Sequence, residues 1–232
     1  MKSEKVTKRG AEPTKRWYDD ACGTALAMEL LGERWALLIV RELLFGPRRF
    51  TELRAGLPGI SANVLTQRLE RLAVTAVVEK VELPGRATGY ALTDWGYEAE
   101  PAIMTLGRWA ARSPDHDPTL PLSSASMMMS LRTMVDLARA PGPMTIGFLF
   151  GRDSFVARLA GGALPIERAP AFGDAVFDTD PRTMAAIVYG KLPIAAAEAT
   201  GSLRFGGDTA AAEVFIDLFH LPAKATRGPA AG

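Results

Sequence analysis

Between Ser61 and Ala73 the chain places Asn63, Thr66, Gln67, Glu70 and Arg71 at intervals that interleave with Leu65, Leu69 and Leu72. At about 100° per residue the two sets fall on opposite sides of a helix, the leucines packing inward and the polar set left free. Asn and Gln carry a donor and an acceptor side by side, matching the major-groove edge of adenine, and a Thr methyl can meet that of thymine. Asn63, Thr66 and Gln67 are therefore the candidate base contacts. Arg48, Arg49, Arg68, Arg71 and Arg86, with the Ser61 hydroxyl, are the candidate phosphate contacts.

Other chemistries find little support. The single cysteine, Cys22, excludes an intrachain disulfide framework and a multi-cysteine metal site. The two histidines, His116 and His220, have no second ligand type at metal-binding spacing. No metal, no cofactor, no Ser-His-Asp constellation and no enzymatic activity are expected.

Several elements must position the polar helix face. Cys22 to Leu31 reads as a short helix ended by Gly32. Arg34 to Phe45 carries Trp35, Leu38, Ile39 and Leu43 on one stripe and stops at Gly46-Pro47. Phe50 to Ala55 forms a short helix, residues 56–60 a tight turn, and Ser61 an N-cap. Val77 to Leu83 alternates as a half-exposed strand, residues 84–89 turn, and Tyr90 to Leu92 return as a second strand. Thr93 or Asp94 caps a last helix through Arg112. Helix, helix, turn, helix, basic-tipped hairpin and closing helix is the winged-helix order.

The 232 residues are 48% apolar and 23% charged, as in a globular chain. The apolar runs at Trp35 to Val40 and Thr145 to Phe150 are too short to cross a bilayer. The charged first sixteen residues do not read as a secretory signal, so a cytoplasmic protein without membrane association is expected. Positive charge is concentrated: six Lys or Arg against two Glu in residues 1–16, and seven against four in residues 46–90. Beyond Asp117 the balance is ten against ten. The Pro-containing stretch 113–123 reads as a linker. Residues 1–16 and 223–232 read as disordered tails.

The stretch from Cys22 to about Arg112 closely resembles the HxlR-type winged helix-turn-helix regulators of bacteria. The segments GPRRF-TEL, LPGIS and LTQRL, then YALTDWG, carry the resemblance in order. It implies a homodimer on double-stranded DNA with a palindromic operator, with Trp17 to Leu31 and Tyr97 to Trp109 at the subunit interface. The family usually has Gly between recognition helix and wing, where this chain has residues 73–76 (AVTA), and Pro where this chain has Gly23. Cys22 matches a cysteine that some members use as a redox sensor. With Asp19 and Asp20 nearby and no Lys or Arg in the next turn, a buried, inert thiol is expected instead.

From Ser124 the pattern is mixed: a helix over Ala125 to Arg139, then strands at Thr145 to Phe150, Phe155 to Leu159 and Ala171 to Asp178. Helices at Pro181 to Tyr189 and Pro193 to Ala199, a strand at Gly201 to Phe205 and a helix at Thr209 to Phe219 follow. Residues 178–219 resemble the end of the sterol-carrier-protein-2-like fold, whose apolar tunnel takes hydrophobic molecules. The earlier strands match more loosely. Met128, Phe148, Phe150, Phe155, Phe172, Phe177, Met184 and Phe205 are candidates to line a pocket; equally they can fill a core.

The expected fold class is α+β. A winged helix-turn-helix domain (17–112) precedes a sterol-carrier-like ligand-binding domain (124–222). The expected function is transcription regulation modulated by a hydrophobic small molecule. The alternatives are a small-molecule sequestering protein without specific DNA binding, and a redox switch acting through Cys22.

Overall fold

The computed structural model describes residues 18–226. The whole expected N-terminal tail (1–16), Trp17, and residues 227–232 of the other expected tail lie outside that range. Four helices open the chain: α1 (Gly23–Leu31), α2 (Ala36–Leu43), α3 (Phe50–Gly56) and α4 (Ala62–Val74). The expected stripe on α2 buries Ile39 and Leu43, with Val40 beside them, whereas Leu38 is exposed. The helix starts two residues later than its apolar pattern because Trp35 has φ 80°, a left-handed conformation incompatible with helix continuation.

A two-stranded wing follows, β1 (Val78–Leu83) antiparallel to β2 (Ala87–Leu92), with Leu83 opposite Ala87 at the tip. The turn between α4 and β1 is a Schellman cap. The N–H of Val77 donates to Leu72 O at 2.9 Å and that of Ala76 to Ala73 O at 3.1 Å. Ala76 takes the left-handed φ of 57° at the position where such caps favour Gly.

The expected closing helix is two pieces, α5 (Asp94–Tyr97) and α6 (Glu100–Ala110). Pro101 lies in the first turn of α6 and has no N–H to continue the α5 ladder. Thr93 caps α5 as expected, accepting from Gly96 N at 3.0 Å.

The remainder builds α7 (Ser124–Met134), β3 (Met144–Phe150), β4 (Asp153–Leu159), β5 (Ile166–Glu167), β6 (Ala175–Thr179), α8 (Pro181–Val188), α9 (Ile194–Ala199), β7 (Leu203–Gly207) and α10 (Thr209–Ile216). α7 stops five residues short of expectation. Val135 turns extended and pairs with Phe219, and residues 137–139 make a separate 3-10 turn capped by Asp136. The sheet order is β5-β4-β3-β6-β7, with β3 and β6 parallel and the other pairs antiparallel. The strand expected from Ala171 begins only at Ala175, because residues 171–173 cross the back of β3. A Cβ at Gly147 would sit 2.7 Å from the Phe172 nitrogen, so only glycine admits that crossing.

The stretch expected to separate two domains does not isolate two cores. α7 packs on α2 and α6 as well as on α8, and one apolar cluster runs from Leu43 and Leu65 through Met127 and Leu131 to Phe148 and Phe215. Nor is the chain free from residue 223. Ala225 N donates to Arg112 O at 2.7 Å, and Lys224 Nζ donates to the carbonyls of Ala111 and Ser113. Among the described residues no helix is long and apolar enough to cross a membrane.

Candidate nucleic-acid interface

Helix α4 is held by its apolar stripe. Leu65, Leu69 and Leu72 are fully buried against the preceding helices, and Ser61 caps the N-terminus by accepting from Val64 N at 3.3 Å. Asn63, Thr66 and Gln67 emerge on the opposite side, all exposed and without protein partners. Their separation from the core is what a groove-reading helix needs, because its first turns must enter DNA while its back stays packed.

The arginines divide. Arg86 is exposed at the wing tip. Arg49 is exposed near the wing turn, its Nη2 within 3.5 Å of the Pro84 carbonyl. Arg71 is half-buried in the last turn of α4. Arg68 leans back, ion-paired to Glu33 and donating from Nε to Arg34 O at 3.1 Å.

Arg48 is engaged within the protein. Its side chain is only 12% exposed, and its two terminal nitrogens donate to both carboxylate oxygens of Asp153, at 2.7 and 3.2 Å. A guanidinium engaged in that way has no fork to offer a phosphate. Its backbone pairs with Tyr90 in both directions, an isolated bridge on the outer side of β2. Burial disfavours the ionised Asp153, yet Arg48 and Arg168 outweigh it and hold the carboxyl below the usual range. No local pattern marks Asp153, which is 105 residues from its partner.

Cys22 is a correction. It is exposed, not buried, at the N-cap position of α1. The backbone N–H and hydroxyl of Thr24, with the N–H of Ala25, lower the thiol pKa. Charged neighbours alone do not set this thiol, because the free amides of a helix start act on it as well.

Apolar side chains are also exposed on α1 and on α6. No residue of α1 is buried, Leu26 and Met28 stand exposed, and α6 presents Leu106 and a 72% exposed Trp109.

In the C-terminal half the eight pocket candidates part company. Phe148 stacks on Phe177 at 5.9 Å, Phe150 lies 6.2 Å from Phe155, and Met128 and Met184 are fully buried with them. Phe205 stands half-buried, edge-on to Phe177 at 5.3 Å. Phe172 is on the surface, 52% exposed, under the Arg158 guanidinium. An open cleft of about 450 Å³ lies elsewhere in this half, between α8, α9 and α10, lined by Ile187, Leu192, Ile194 and Ile216 with Glu198 and Glu213. Among the described residues no group of His, Cys, Asp and Glu is placed to hold a metal ion.

Helices α2 to α4 with the β1–β2 wing define a winged helix-turn-helix protein. The family model described as HxlR-like helix-turn-helix matches residues 30–118. The HTH-type transcriptional regulator YvaP of Bacillus subtilis is 38% identical over 86 residues, which is 36% of this chain and 80% of YvaP. YodB of the same organism, also an HTH-type transcriptional regulator, is 36% identical over 86 residues, 36% of this chain and 77% of YodB. The HTH-type transcriptional regulator Rv3095 of Mycobacterium tuberculosis is 42% identical over 97 residues, 40% of this chain and 59% of Rv3095. The chain belongs to the HxlR-like helix-turn-helix family.

Proposed function

We propose that the protein is a transcription regulator that binds a palindromic DNA operator as a homodimer, reading bases with Asn63, Thr66 and Gln67. The observation that carries this reading is a packed helix presenting an exposed Asn, Thr and Gln beside a wing tipped by Arg86, in a chain of a helix-turn-helix family. Arg49, Arg71 and Arg86, with Ser61, supply phosphate contacts, and Arg68 joins them by leaving Glu33. The apolar side chains exposed on α1 and α6 form the dimer face, since such side chains are stabilised by burial against a second copy.

Fluorescence anisotropy with duplex DNA from upstream of the protein's own gene, against shuffled DNA at about 150 mM salt, tests the reading. The operator complex is expected to be roughly 10³-fold tighter than the shuffled one. In Asn63→Ala/Gln67→Ala that preference collapses, while weak salt-sensitive binding persists. Preference surviving in the double variant would remove those residues from base reading. Equal binding of both DNAs by the wild type, across a set of upstream regions, would favour a small-molecule sequestering protein.

The C-terminal half is proposed to be sterol-carrier-like and to bind a hydrophobic effector. The order α8, short turn, α9, β7 and helix agrees with the resemblance over residues 178–219. The α8–α9–α10 cleft, with its isoleucine floor, is the accessible place for such a molecule to enter. An effector shifts DNA binding only through different affinities for two conformations, typically by about 1–3 kcal/mol. Operator affinity unchanged across a panel of apolar ligands that bind the protein would end this part of the reading.

The exposed Cys22, with its lowered pKa, favours one second reading, a thiol switch. A non-reducing dimer band under peroxide, absent in Cys22→Ser and accompanied by altered operator affinity, would establish it. Unchanged affinity after oxidation would dismiss it.

A further inference from the structure

The junction of the two halves is built around Asp153, the first residue of β4. Its carboxylate receives Arg48 through both oxygens and Arg168 Nη1 at 2.6 Å. Around it, Phe45, just after α2, meets Phe155 edge-on at 5.7 Å and 84°. The Arg168 guanidinium lies over Phe155 at 4.4 Å and that of Arg132 over Phe45 at 4.7 Å. Arg132 also pairs with Glu100 of α6 and donates to Ile166 O.

The cations here have no acceptor to spare. Nε of Arg48 and both Nε and Nη2 of Arg168 are buried without partners. Asp153 is the only carboxylate bonded to either arginine among the described residues. Arg48 sits beside the exposed Arg49, immediately before α3, and its backbone is bonded to the wing strand β2. An unpaired guanidinium here would be a buried cation without its counter-charge, a cost relieved by turning out to water beside the exposed Arg49 at the start of α3. The first helix of a helix-turn-helix crosses the DNA backbone there.

We infer that Asp153 is a positioning residue of the DNA reader: it docks the Arg48 segment and the wing on the C-terminal half and withholds one arginine from the phosphate backbone. The inference rests on the DNA-reading proposal above. By this arrangement the far half of the chain sets the electrostatic footprint of the reader. A phosphate contact is shared by every sequence, so the pair sets the general, salt-sensitive affinity of the reader and leaves its choice of sequence to the base contacts.

The test is the salt dependence of binding to shuffled duplex DNA by the full chain. Four variants are compared with wild type: Asp153→Asn, Arg48→Gln, the double variant and Asp153→Glu. Asp153→Asn is expected to bind shuffled DNA more tightly and to steepen the slope of log K against log salt by about 1, one added phosphate contact. Arg48→Gln is expected to leave the slope at its wild-type value, because Arg48 makes no phosphate contact when docked. The double variant returns to the wild-type slope, and Asp153→Glu keeps it by preserving the charge. An unchanged slope in Asp153→Asn, or the same steepening when Arg48 is absent, would overturn the inference. A shallower slope in Arg48→Gln would overturn it too, and make Arg48 an ordinary phosphate contact. Shuffled DNA is used throughout, so failure to find a preferred operator counts against base reading and leaves this test standing.

Discussion

Ser123 Oγ donates to Glu42 Oε1 at 2.6 Å, joining the start of α7 to a residue of α2 81 positions earlier. Glu42 is 2% exposed and receives Arg41 Nη2 as well, at 2.8 Å. The same hydroxyl caps α7, accepting from Ser126 N at 3.0 Å. Ser123→Ala therefore removes a cap and leaves a buried carboxylate short of a donor. The expected cost is about 1–3 kcal/mol. Urea unfolding should show the loss as a single transition, coincident by tryptophan fluorescence and circular dichroism. All four tryptophans precede residue 113, so separated transitions would mean the halves unfold independently.

Ala76 bears a methyl group in the left-handed cap of α4, where a Cβ is strained against the carbonyl that follows. Ala76→Gly should stabilise the protein by roughly 1 kcal/mol, measured as a higher urea midpoint at unchanged slope. A lower midpoint would show that the extra chain freedom of Gly outweighs the relief.

Tyr189 hydroxyl bonds to Ser130 Oγ at 2.6 Å, and burial pushes its phenol up to about 12. An unfolded tyrosine ionises near 10. The folded state thus favours the neutral phenol, so this stabilisation is complete below pH ~10 and is lost as pH rises towards 12. Ultraviolet titration should find the Tyr189 phenol ionising near 12 in native protein, a step that is absent in denaturant and in Tyr189→Phe.

Arg86 at the wing tip and Arg48 make opposite predictions although both lie in the same basic stretch. Arg86→Ala should weaken operator and shuffled DNA alike and reduce the salt slope by about 1. Loss confined to the operator would instead make Arg86 a base-reading residue.

The elements nearest the reader were legible because their signals are local. The leucine stripe of α4, its Ser61 cap and the turn before it lie within a few residues of one another, and the structure keeps their boundaries within a residue. What failed to show was long-range. The docking of Arg48 depends on Asp153, and the end of α7 on a backbone pairing between Val135 and Phe219. Composition around either site carries no trace of the partner. The exposure of Cys22 is not legible for another reason: nothing in the residues around it shows that the helix they open has no buried face.

The single apolar cluster shared by both halves ties the supply of active reader to the folding of the whole chain. Any molecule that binds only the folded C-terminal half draws unfolded chains into the folded pool, and with them the DNA-reading surface. Ligand concentration can then be registered as an amount of competent protein, with no change in the geometry of α4 at all.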